Sequence, residues 1–106
     1  MTTFNDREKA AEAKYARDEE NAFKIAVRRN KLLGLWVAEQ LGKSGASAED
    51  YAKEVVQADF DEPGDDDVFA KVWADLQAAG STLSEHQVRR QMDDLKITAR
   101  NQITSE

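Results

Sequence analysis

The chain has 106 residues, 34% of them charged, with a formal net charge of −6, one histidine and no cysteine. That length suits one domain around one core, and the missing cysteine excludes disulfides, thiolate chemistry and cysteine-bound metal. The acidic balance disfavours general nucleic-acid binding, and no apolar run approaches the ~20 residues that cross a bilayer, so direct membrane insertion is not expected.

The first predicted element is a long helix over residues 5–41, and its two halves obey different rules. From Asn5 to Glu20 charge dominates, and Tyr15 is the one large apolar side chain. Phe4 stands just ahead, a candidate hydrophobic staple, with Asn5 or Asp6 as N-cap. From Phe23 to Leu41 the pattern becomes Phe23, Ile25, Val27, Leu32, Leu33, Leu35, Trp36, Val37 and Leu41. The second half can bury a face; the first cannot. Yet the first half is rich in Ala, Glu, Lys and Arg, which favour helix. A helix-competent segment with no core of its own is a candidate for docking into a partner. Gly34 inside this helix marks either a close approach of another helix beside Trp36 or a soft joint. Gly42 is placed for a left-handed C-cap.

Ser47-Ala48-Glu49-Asp50 reads as the capped start of a second helix that ends near Phe60, with Tyr51, Val55, Val56 and Phe60 on its apolar face. Pro63-Gly64 is the strongest stop signal in the chain. Asp65 is expected to cap a third helix, with Asp66 and Asp67 in its first turn where the helix dipole favours negative charge. Its stripe is Val68, Phe69, Val72, Trp73 and Leu76, and Gly80 ends it. Ser84 and Gln87 form a capping box for a fourth helix, whose buried face is Val88, Met92, Leu95, Ala99 and Ile103.

The expected fold is therefore all-α, a four-helix bundle with a long first helix whose N-terminal part is mobile or protruding. A first helix of about 36 residues is roughly 54 Å long, against roughly 30 Å for a fourth of about 20, so some four turns overhang. The chain divides into an arm, residues 1–20, and a bundle, residues 21–106.

Little in the sequence points to catalysis. His86 stands in the first turn of the fourth helix beside Ser84, which the capping role already explains, so no nucleophile–base pair is expected. The acidic run Asp59, Asp61, Glu62, Asp65, Asp66 and Asp67 lacks the bidentate acid of a helix–loop–helix calcium site, because Ala70 stands at its twelfth position. No metal site, cofactor or phosphate-binding glycine loop is expected. Trp36 and Trp73 read as core anchors. The basic clusters Arg28-Arg29 with Lys31, and Arg89-Arg90, read as solvated faces or as partners of nearby carboxylates. An alternative gives Arg28, Arg29 and Lys31 to weak binding of ATP or ADP, making the bundle a nucleotide sensor. A helix–turn–helix nucleic-acid binder using Arg89-Arg90 is a further rival that the acidic balance opposes.

The strings Phe4-Asn5-Asp6-Arg7-Glu8-Lys9-Ala10, Ala13-Lys14-Tyr15 and Asp18-Glu19-Glu20 resemble the start of the zeta-subunit family, small inhibitors of the F-type ATP synthase of α-proteobacteria. The likeness continues through Arg28-Arg29-Asn30-Lys31-Leu32-Leu33-Gly34-Leu35-Trp36, Tyr51-Ala52-Lys53-Glu54-Val55-Val56, Glu62-Pro63-Gly64-Asp65 and His86-Gln87-Val88-Arg89-Arg90. The resemblance implies a non-enzymatic regulator. Its N-terminal segment would enter a catalytic interface of the ATPase head, contact the rotor and block rotation in the hydrolytic direction. On that reading the partner-binding residues are Phe4, Asn5, Asp6, Arg7, Glu8, Lys9, Glu12, Lys14 and Tyr15. The location would be cytoplasmic, peripheral to the inner membrane through the synthase.

Overall fold

Four helices follow in chain order: α1, Thr2–Gln40; α2, Ala46–Asp61; α3, Asp65–Ala78; and α4, Glu85–Thr104. The computed structural model describes the backbone of residues 2–105 and the side chains of residues 20–105. No strand occurs among the described residues, as expected of an all-α bundle. Helix α1 has 39 residues, about 58 Å at the usual rise. The next longest, α4, has 20, about 30 Å. The molecule accordingly extends 66 Å along one axis and 26 and 23 Å across.

The bundle is organised around the second half of α1, which packs against α2, α3 and α4. Leu33, Val37 and Ala38 of α1 meet Tyr51 and Val55 of α2, Val68, Phe69, Val72 and Leu76 of α3, and Val88 and Met92 of α4. Each fully buried aliphatic side chain contributes about 1.5–3 kcal/mol of transfer free energy. Trp36, Leu41, Trp73 and Leu95 close the edges, half-buried. Trp73 stacks on Phe69 with ring centroids 5.8 Å apart.

Gly34 is a contact point. It lies against α2 so closely that a Cβ there would stand 2.5 Å from the Cα of Ala52. Of the two readings of that glycine, close approach is the one the packing requires.

The helix ends follow local chemistry, with two departures. At the end of α1 the Gly42 amide donates to the Glu39 carbonyl at 3.1 Å and the Lys43 amide to Ala38 at 2.9 Å. Gly42 has φ 77°, so this is the expected left-handed cap in its two-bond form. The same pair of bonds closes α3 at Gly80. The capping box of α4 is complete: the Gln87 amide donates to Ser84 Oγ at 3.1 Å and the Ser84 amide to Gln87 Oε1 at 2.8 Å.

Ser47 does not cap α2. The helix begins at Ala46 behind Gly45, which has no side chain to cap with and turns the chain at φ 59°. Asp65 does not cap α3 either. Gly64 holds that position, and the Asp65 carboxylate is drawn away to an arginine of α1. Helix α1 begins at Thr2, ahead of the expected caps Asn5 and Asp6, since nothing in Thr2-Thr3-Phe4 breaks a helix. The side chains of Phe4, Asn5 and Asp6 lie outside the described residues.

Two aromatic side chains expected on the buried faces are exposed instead. Phe23 is 57% and Phe60 54% accessible. Both lie outside the shared core, toward the arm, where they pack on each other across the seam between α1 and α2.

Candidate functional site

The residues expected to contact a partner, Phe4, Asn5, Asp6, Arg7, Glu8, Lys9, Glu12, Lys14 and Tyr15, have side chains outside the described residues. The described part of α1 opens at the root of that arm. There Lys24 Nζ lies 3.2 Å from Glu20 Oε1, one turn away. Three residues past Glu20, the Phe23 ring meets Phe60 of α2 with centroids 5.8 Å apart.

Arg28, Arg29 and Lys31 do not form one site. Arg28 and Lys31, three residues apart, share one face of α1, and Arg29 points away from it. Arg28 Nη1 donates to Gln102 Oε1 of α4 at 2.8 Å. Lys31 is exposed. Arg29 is 3% accessible, and its guanidinium is committed on both sides. Nε donates to Asn30 Oδ1 at 2.8 Å and Nη2 to Asp65 Oδ1 at 2.7 Å.

The chain of bonds continues. Buried Asn30 donates from Nδ2 to Asp59 Oδ2 at 2.8 Å, and the Gly64 amide donates to Asp59 Oδ1 at 3.2 Å. Adjacent polar residues of α1 thus clamp the last turn of α2, the Pro63-Gly64 corner and the first turn of α3. No buried polar side-chain atom lacks a partner among the described residues. The hydrogen bond from Arg29 is the chief cause that holds the Asp65 carboxyl below the usual carboxylate range, against a smaller opposing effect of burial.

The remaining polar groups also serve the fold. The Tyr51 hydroxyl donates to Asp75 Oδ2 at 2.8 Å, and Lys71 Nζ donates to the same oxygen at 3.1 Å. Burial first, then the bond to Asp75, pushes the Tyr51 hydroxyl far above the ordinary phenol range. Arg89 covers the Phe69 ring at 4.0 Å and reaches Asp66 at 2.9 Å, as expected of a basic residue paired with a nearby carboxylate. His86 is exposed. Within the acidic run, Asp59, Asp65 and Asp66 each accept a hydrogen bond or ion pair from the chain itself.

Sequence reasoning missed the clamp. The available signal was Arg29-Asn30 lying between Val27 and Leu33 on a helix that buries this face, with carboxylates flanking Pro63-Gly64. It also missed that Phe23 and Phe60 form an exposed pair.

Residues 1–102 match the sequence family described as ATPase inhibitor subunit zeta. The chain belongs to this family. A solved solution NMR structure is similar to this chain at 49% identity and a TM-score of 0.69, covering 78% of this chain and 94% of that one. No curated protein is significantly similar to it. No helix, among the described residues, is long and apolar enough to cross a membrane. The all-α bundle and the family suspected from the Phe4–Ala10 and Arg28–Trp36 strings are both found.

Proposed function

We propose that this zeta-family chain is a regulatory subunit that inhibits ATP hydrolysis by an F-type ATP synthase. It carries out no reaction. Residues 1–20 are the arm and residues 21–106 the bundle. The arm inserts into a catalytic interface of the ATPase head, contacts the rotor and obstructs rotation in the hydrolytic direction.

The observation that carries this reading is the disparity in helix length. Helix α1 has 39 residues, whereas α2, α3 and α4 have 16, 14 and 20. Helices roughly half as long leave the charged front half of α1 without counterparts along its length. An isolated helix of such length is marginal in water, so contacts with the partner must supply its stability. Phe4 and Tyr15 serve as apolar anchors. Asp6, Arg7, Glu8, Lys9, Glu12 and Lys14, with Asn5, supply complementary charge and polarity, which favours specificity and encounter more than affinity.

The experiment is deletion of residues 1–17. ATP hydrolysis by the matching catalytic head is measured with the full and the shortened chain. The shortened chain is expected to lose all inhibition; full inhibition by it defeats the proposal.

A second reading, weak ATP or ADP binding, has one observation in its favour. Lys24, Arg28 and Lys31 line a hollow of about 270 Å³ with Phe23, Val27 and Ile103. Arg29, committed to Asp65, is not part of it. Titration with nucleotide while following backbone amide shifts decides: shifts centred on residues 24–31 support it, and unchanged spectra at millimolar nucleotide remove it.

A further inference from the structure

Phe23 and Phe60 are two of the three large hydrophobic side chains exposed among the described residues, and they touch each other. Three hollows share Val27 beside them: two of about 440 and 250 Å³ in the seam between α1 and α2, and one of about 270 Å³ between α1 and Ile103 of α4. Val27, Val56 and the two phenylalanines form an apolar floor.

The rim of this floor runs against the charge of the whole chain. The molecule carries −6, yet Lys24, Arg28, Lys31 and Lys53 all border these hollows. Two acids border them: Glu49, and Asp59, which is bonded to Asn30 and to the Gly64 amide. Lys24 is balanced by Glu20. Lys31 and Lys53 are exposed and make no ion pair among the described residues. An apolar floor with Lys31 and Lys53 at its edge, neither in an ion pair among the described residues, suits a ligand that combines a greasy side chain with carboxylates.

Its position says where that ligand comes from. Phe23 lies on the same helix as the arm, eight residues beyond Tyr15, or about 12 Å along the axis. A partner that grips the arm faces this patch as the adjoining surface. We propose that the Phe23–Phe60 patch is a second docking surface, which seats an acidic segment with an apolar anchor on the ATPase head beside the arm's entry point. This rests on the inhibitory reading above. The arm obstructs; the patch sets how tightly and in what orientation the bundle is held while it does so.

The test uses the full-length chain carrying Phe60→Ser or Lys53→Glu, two exposed positions on α2 that are not part of the arm. Inhibition of the matching head is titrated at low and high salt, and the thermal melt of each variant is recorded. Each variant is expected to raise the half-inhibitory concentration about five- to tenfold, the effect of losing one interface anchor or reversing one rim charge, with maximal inhibition and melting unchanged. The Lys53→Glu effect should shrink at high salt. If Phe60→Ser fails to fold, Lys53→Glu still decides.

Normal inhibition by the wild type together with unchanged half-inhibitory concentrations for the variants overturns the patch and leaves the arm mechanism standing. Failure of the wild type to inhibit at all sinks the underlying reading instead. In a parallel arm, Phe60→p-benzoylphenylalanine is irradiated in the presence of the head. A cross-link to a head subunit supports the proposal. A cross-link to a second copy, to residues 1–17 of the same chain, or to nothing overturns it.

Discussion

At the scale of single residues the most consequential group is Arg29. A buried guanidinium without a partner carries a heavy desolvation cost, and here Asp65 and Asn30 offset it. Asp65 itself is 56% accessible, so solvent weakens the pair, and Asp65→Asn is expected to cost about 1–2 kcal/mol near neutral pH. The sign of its pH dependence is determined. Because the folded carboxyl titrates below its unfolded value, its contribution is complete above the ordinary carboxylate range and vanishes as the pH falls through the lowered folded value. Urea unfolding of wild type and Asp65→Asn at pH 7 and again near pH 3 should therefore show a stability gap that narrows on acidification. A gap that stays constant or widens would remove the ion pair as its cause.

At the scale of elements, α1 is both a scaffold helix and the carrier of the proposed arm, and at Gly34 it lies directly against the backbone of α2. Intrinsic propensity alone says that Gly34→Ala should stabilise a helix by about 1 kcal/mol. Packing says the reverse, because the added methyl group would stand 2.5 Å from the Cα of Ala52, a backbone atom that moves only with the whole helix. Overpacking of this kind costs typically ~1–3 kcal/mol, so the substitution should lower the midpoint of thermal unfolding. A raised midpoint would mean that α1 and α2 separate freely at this point. Capping shows the same contest between local and tertiary preference. Ser84 and Gln87 cap α4 as their spacing requires, since no other group competes for them. Asp65, equally suited to cap α3, serves Arg29 across the helix interface, and the glycine before it takes the cap position.

At the scale of the whole molecule the core found among the described residues lies within the second half of α1 and the other helices. Leu33, Val37 and Ala38 are its contribution from α1. Deletion of residues 1–17 is therefore expected to leave the melting midpoint unchanged while abolishing inhibition, and a clear drop in the midpoint would assign the arm a structural role in the bundle. The architecture was readable in advance because helix period, proline-glycine punctuation and capping pairs are local signals carried by neighbouring residues. The stripe Val68, Phe69, Val72 and Leu76 is buried as its spacing implied. The stripe that ended at Phe60 was misjudged, because periodicity shows which residues share a face but not where the neighbouring helix stops.

What the sequence by itself determined was the number of helices, their order, most of their ends, and the division of α1 into an apolar and a charged half. Each depends on residues close along the chain. What only the tertiary structure decided was the fate of side chains whose partners are remote in sequence. Arg29 and Asp65, 36 positions apart, became a clamp in place of a nucleotide contact and a cap. Phe23 and Phe60 became an exposed pair instead of core. Burial and charge pairing are settled by which surfaces meet, and that depends on helix lengths and loop turns taken together.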